Sequence, residues 1–118
     1  MKRKELEIIG EPLNLEKVKA ILQEFKRDIE NVLHSKLVEI VLYGSYARGD
    51  YEFGSDIDIL LVVNEKLTEK ERDKISFIAS KISLKYETVL SCFDYPLYAF
   101  QSWETPFLMN VRREGIRI

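Results

Sequence analysis

GSYARGDYEFGSDIDILLVV, residues 44–63, is the stretch whose reading decides the fold. It follows the apolar run LVEIVLY and opens on a Gly-Ser turn. It then crosses a polar loop punctuated by Gly49 and Gly54 and enters a strand-like run led by Asp56 and Asp58. Residues of a strand alternate faces at a rise of ~3.3 Å, so carboxylates at i and i+2 point the same way, roughly 6.6 Å apart. That spacing suits convergence on one or two divalent cations. Leu60 and Val62 continue this face as apolar residues, and Ile57, Ile59, Leu61 and Val63 make the other face wholly apolar. Such a strand is covered on both sides and central in its sheet. Two acids opening a strand are by themselves an ordinary solvated edge; the Gly-Ser turn upstream sets this pair apart.

Upstream, Leu37 to Tyr43 is β-branched and nearly all apolar, the pattern of a buried strand. Before it, Leu15, Val18, Ile21, Leu22, Phe25, Ile29, Val32 and Leu33 recur at helical spacing behind Asn14, a good N-cap. Residues 1–13 read as an extension in which Leu6, Ile8 and Ile9 form a short strand or helical turn, broken by Gly10 and Pro12. Downstream, Thr68 and Glu71 form a capping box for a second amphipathic helix ending near Lys85. A third strand is expected over Tyr86–Phe93, with Glu87, Val89 and Ser91 on one face. The aromatic stretch after Pro96 carries no clear period, and core packing is favoured over an interface there. Thr105 then caps a last helix with Pro106 at its first position and Gly115 past its end. This order describes one domain over residues 1–118 with a core of about 14–115. Its class is α/β (α+β), a small mixed sheet with helices packed on it.

The 118 residues are 46% hydrophobic and 32% charged, ordinary for a globular chain. A formal charge of −2 and a pI near 5.5 argue against a broad basic surface for nucleic acid. No apolar run reaches the ~20 residues of a membrane span, and the N-terminus lacks the apolar core of a signal peptide. Cys92 is the single cysteine, which excludes an intramolecular disulfide and fits a reducing cytoplasm. The single histidine, His34, has no partner at metal-ligand spacing and reads as a helix-end residue.

The residues of the central stretch suit a nucleotide. Backbone N–H groups at a turn entering a helix can meet phosphate oxygens. Gly44 permits close backbone approach, Ser45 adds a hydroxyl, and Arg48 adds a forked cation; its bland alternative is an ion pair with Asp50 or Glu52. Tyr43 and Tyr46 flank the turn and read either as core or as stacking partners for a base. Hard carboxylate ligands suit Mg²⁺ bound together with phosphates and do not suit zinc. Glu87 is the expected third carboxylate. Asp94, its competitor, falls on the opposite face at the far end of the strand.

The assembly resembles the signature of the DNA polymerase beta-like nucleotidyltransferase superfamily, in which Gly-Ser follows a strand and a hydrophobic-flanked DxD comes about ten residues later. The ARG and SDID context is most similar to the short stand-alone minimal nucleotidyltransferases, and PFLMNVRREGIRI resembles their helix-plus-Glu-Gly ending. Resemblance covers roughly residues 36 to 118. It implies that Gly44 and Ser45 hold a triphosphate with help from Arg48, that Asp56 and Asp58 ligate Mg²⁺, and that Glu87 stands where the family carries a third acid. It also implies transfer of a nucleoside monophosphate, AMP from ATP foremost, to a hydroxyl. The domain looks too small to carry much acceptor surface, so a protein acceptor is expected. By resemblance this is a tyrosine of a HEPN-domain toxin, silenced by the modification. The alternatives are transfer to a small molecule such as an antibiotic, with a dimer mate completing the site, and a non-catalytic module that neutralises by binding.

Overall fold

The computed structural model describes residues 13–118. The expected element at Leu6, Ile8 and Ile9 therefore lies outside the described residues. Helix α1 spans Leu15–Leu33, and Asn14 caps it by accepting the Lys17 backbone N–H at 2.8 Å. Its apolar stripe (Val18, Ile21, Leu22, Phe25, Ile29, Leu33) is buried, as the spacing predicts. A short 3₁₀ turn, His34–Lys36, leads into strand β1, Leu37–Tyr43. A one-turn helix α2, Ser45–Arg48, follows directly. Strand β2 is Ile57–Val63, helix α3 is Glu69–Tyr86, and strand β3 is Leu90–Pro96. Helices α4, Leu97–Ser102, and α5, Pro106–Glu114, precede the two-residue strand β4, Ile116–Arg117.

The sheet order is β3-β2-β1-β4. β1 runs antiparallel to both β2 and β4, and β2 runs parallel to β3, so the sheet is mixed. β2 is interior and covered on both faces. One face packs on α1 and α3 through Ile57, Ile59, Leu61 and Val63. On the other, Leu60 and Val62 join Val41, Phe100, Leu108 and Val111 beneath α4 and α5.

Four elements depart from the sequence reading. Helix α3 continues one residue further, because the Tyr86 hydroxyl donates to Glu24 of α1 and Lys85 donates to the same carboxylate, tying the last turn to its neighbour. That hydrogen bonding lowers the Glu24 pKa, the Tyr86 bond first. Glu87 then ends the helix in the left-handed region at φ 53°, and Thr88 N–H returns to the Ser83 carbonyl. β3 therefore starts at Leu90, not Tyr86, and Glu87 is no part of it. The aromatic stretch after Pro96 is a short helix. β4 closes the far edge of the sheet against Val41 and Leu42 of β1, and two residues were too few to register as a pattern. Among the described residues no helix is long and apolar enough to cross a membrane.

Phe25 is fully buried between α1, the sheet and α3. Phe25→Ala is expected to lower unfolding stability by about 3–5 kcal/mol, read as a fall in the urea midpoint at unchanged slope.

Candidate active site

The last pair of the β1–β2 ladder sets Tyr43 opposite Asp58, and β1 ends there. Gly44 turns the chain at φ 80°, ψ −156°, a conformation that residues with a Cβ rarely adopt. Its bare Cα faces the carboxylate of Asp58, and a Cβ placed there would overlap Asp58 Oδ2. Helix α2 starts at once, with Arg48 N–H donating to the Gly44 carbonyl at 3.0 Å. Tyr46 anchors this turn from below: it is 1% exposed and stacked on Tyr51, with ring centroids 4.6 Å apart. Tyr46 is thus core.

Above the turn opens a cleft of about 500 Å³. From β1 and α2 come Tyr43, Gly44, Ser45 and Arg48; from the mouth of β2 come Ser55, Asp56 and Asp58; from α5 come Phe107, Asn110, Val111 and Glu114. Five residues expected at the site, Gly44, Ser45, Arg48, Asp56 and Asp58, therefore line one cavity. The four from α5 were not anticipated. They follow the i, i+3, i+4, i+7 spacing of one helical face, so the pattern was present, but only the docking of α5 tells which face meets the cleft.

Glu87 does not line this cleft. It is an exposed helix terminator three residues before β3. The β3 residue beside Asp58 is Ser91. Asp94 pairs beside Leu61 on the opposite face and is held by Arg72 Nη1 at 2.6 Å. Among the described residues no group of three or more His, Cys, Asp or Glu side chains gathers as a metal site. The donor set is thus a carboxylate pair. This fits Mg²⁺, which is commonly held by one or two carboxylates together with substrate phosphates.

The electrostatics point the same way. Among the described residues and with its groups ionised, the cleft sets one cation, Arg48, against three carboxylates, Asp56, Asp58 and Glu114, a net charge of −2. A polyphosphate entering alone would be repelled, and divalent cations reverse that sign. Burial raises the Asp58 pKa and the charge of Asp56 raises it further, with Arg48 opposing. Burial and then Asp58 push the Tyr43 hydroxyl up to about 12, so Tyr43 is neutral at physiological pH. Its ring meets Phe107 edge-on at 5.3 Å, closing the apolar end of the cleft. Arg48 is ion-paired, Nε to Asp50 at 3.3 Å and Nη1 to Glu114 at 3.2 Å, and these bonds raise its pKa, the Asp50 bond first. The Asp50 half of that arrangement was foreseen; Glu114 was not. Cys92, on the opposite face to Ser91, is a free thiol that burial pushes up to about 12.

A model of the nucleotidyltransferase domain matches residues 15–106. The chain belongs to that family. It is a nucleotidyltransferase, and its mixed sheet with packed helices is the nucleotidyltransferase fold. It is 43% identical over 98 residues, 83% of its length, to a Methanocaldococcus jannaschii protein named "Putative protein adenylyltransferase MJ0141", covering 95% of that relative. Two solved structures share the fold at a TM-score of 0.57. One is a toxin–antitoxin with AMP-PNP (23% identity, covering 80% of this chain and 70% of that one). The other is a tri-AMPylated Shewanella oneidensis HEPN toxin in complex with an MNT antitoxin (20% identity, covering 85% and 70%).

Because burial and Asp56 favour neutral Asp58 in the folded nucleotidyltransferase, its contribution to stability is fully present below the ordinary carboxylate pKa. It is lost as pH rises through the folded pKa. Asp58→Asn removes the charge. At pH 7 without metal the variant is expected to melt above wild type, by roughly 2–6 °C. Added Mg²⁺ should raise the wild-type melting temperature alone. Calorimetry with and without Mg²⁺ reads both.

Proposed function

We propose that this nucleotidyltransferase moves AMP from Mg²⁺-bound ATP to a hydroxyl of a partner protein. The reading rests above all on one observation: Ser45, Arg48, Asp56 and Asp58 converge on a single open cleft at the Gly44 turn. Asp56 and Asp58 are the residues to hold the cation. When bound, Mg²⁺ neutralises charge on the phosphates and on the acid pair. Ser45 supplies a hydroxyl donor and Arg48 a guanidinium to the phosphate oxygens. In the reaction the acceptor oxygen bonds to the α-phosphorus, the bond from that phosphorus to the bridging oxygen breaks, and pyrophosphate leaves. The acceptor's proton passes to a base.

A protein acceptor is supported by the name of the 43%-identical relative. A HEPN-domain toxin as that acceptor, modified on tyrosine and so neutralised, is supported by the HEPN–MNT complex that shares the fold. ATP as donor is supported by the AMP-PNP in the other solved structure. The open cleft leaves room for a side chain presented from outside.

The test is transfer of label from α-phosphate-labelled ATP, with Mg²⁺, into a lysate of the source cells, with the Asp56→Asn, Asp58→Asn double variant alongside. A protein band labelled by wild type is expected, with labelling by the variant lower by at least about a hundredfold. Mass spectrometry of the band would read the acceptor and its residue. Label appearing only in small molecules would overturn the protein-acceptor reading.

A further inference from the structure

Among the described residues Arg48 is the cleft's sole cation, and two carboxylates hold it. These reach it from different parts of the fold: Asp50, on the loop after α2, and Glu114, the last residue of α5. They take Nε and Nη1, and Nη2 has no partner among the described residues. Asp50 is 64% exposed, whereas Glu114 is only 23% exposed and rides on a helix docked against the sheet.

Two features make Glu114 more than an incidental surface pair. First, a carboxylate at a helix C-terminus stands at the negative end of the helix dipole, which disfavours it. Second, Gly115 lets α5 come down onto β1 where no side chain would fit. A Cβ there would lie 2.5 Å from both the Val111 carbonyl oxygen and Val41 Cγ1. That close seating brings Glu114 into the cleft.

We propose that Glu114 is a positioning residue: it holds the Arg48 guanidinium in the cleft with its unengaged edge ready for the phosphates of the nucleotide. An exposed arginine is otherwise spread over many rotamers, and ordering it at binding costs side-chain entropy. Glu114 imposes that order beforehand. Its action runs through Arg48, and it need not touch the nucleotide. The inference rests on the nucleotide-binding reading of the cleft.

A double-mutant cycle tests it, with equilibrium binding of Mg–AMP-PNP measured calorimetrically for wild type, Glu114→Gln, Arg48→Ala and the two combined. Glu114→Gln is expected to weaken binding about 5–20-fold and Arg48→Ala at least as much, with the combination no weaker than Arg48→Ala alone. The unfolding midpoint of Glu114→Gln should stay near wild type, since exposed ion pairs contribute little stability. Should Glu114→Gln fail to fold, Glu114→Asp takes its place in the cycle with a smaller loss expected. Binding by Glu114→Gln equal to or tighter than wild type, or an undiminished effect in the Arg48→Ala background, overturns the inference while leaving the nucleotide site standing. A wild-type chain that binds no Mg–AMP-PNP overturns both.

Discussion

The contact between the bare Cα of Gly44 and the carboxylate of Asp58 is the constraint on which the site depends. It exists because β1 and β2 pair in a register that brings Tyr43 and Asp58 face to face, just where β1 must turn. A residue with a side chain at position 44 would push Asp58 away and would also strain the backbone at φ 80°. The turn, the one-turn helix after it and the acid pair are thus fixed by one antiparallel ladder. That ladder is in turn held by a strand buried on both faces. Residues far from the cleft in sequence, from Val18 to Ile82, bear on its geometry through this strand.

Much of this was legible in the sequence because hydrophobic period and turn chemistry agreed. β1 needed only its continuous apolar run. β2 needed the same run with its acids at the open end. α1 and α3 announced themselves by stripe and cap. The reading failed where tertiary contacts overrode local pattern. The segment from Tyr86 alternates like a strand, yet Tyr86 is held in α3 by Glu24, and Glu87 takes a left-handed conformation that its own chemistry does not advertise. That alternation points to a third carboxylate at Glu87, whereas the sheet sets Ser91 beside Asp58. The α5 wall of the cleft was missed for another reason. A helix of nine residues shows which side chains share a face, but which face docks is decided by how closely Gly115 lets it approach Val41.

The cleft unites opposite demands. Its acids repel one another and, among the described residues, outnumber its one cation three to one, so without metal it is poorly matched to an anion. Under the reading proposed above, charge complementarity is reached only when metal and nucleotide are bound together. The aromatic end, where Tyr43 meets Phe107, is by contrast neutral and already packed.

Tyr46 has a consequence of another kind. Its buried ring, packed in the core, ties the turn at residues 44–48 to the body of the domain. Asp56, at the other end of the intervening loop, directly precedes β2, which the same ladder holds. Residues 50–55 therefore span two points held by the one ladder. Descendants of this chain can vary the loop's exposed stretch, residues 52–54 with Phe53 included, whereas Tyr51, stacked on Tyr46, and Ser55, which lines the cleft, tie the ends of the loop to the site. New partners can be tried there while the chemistry stays put.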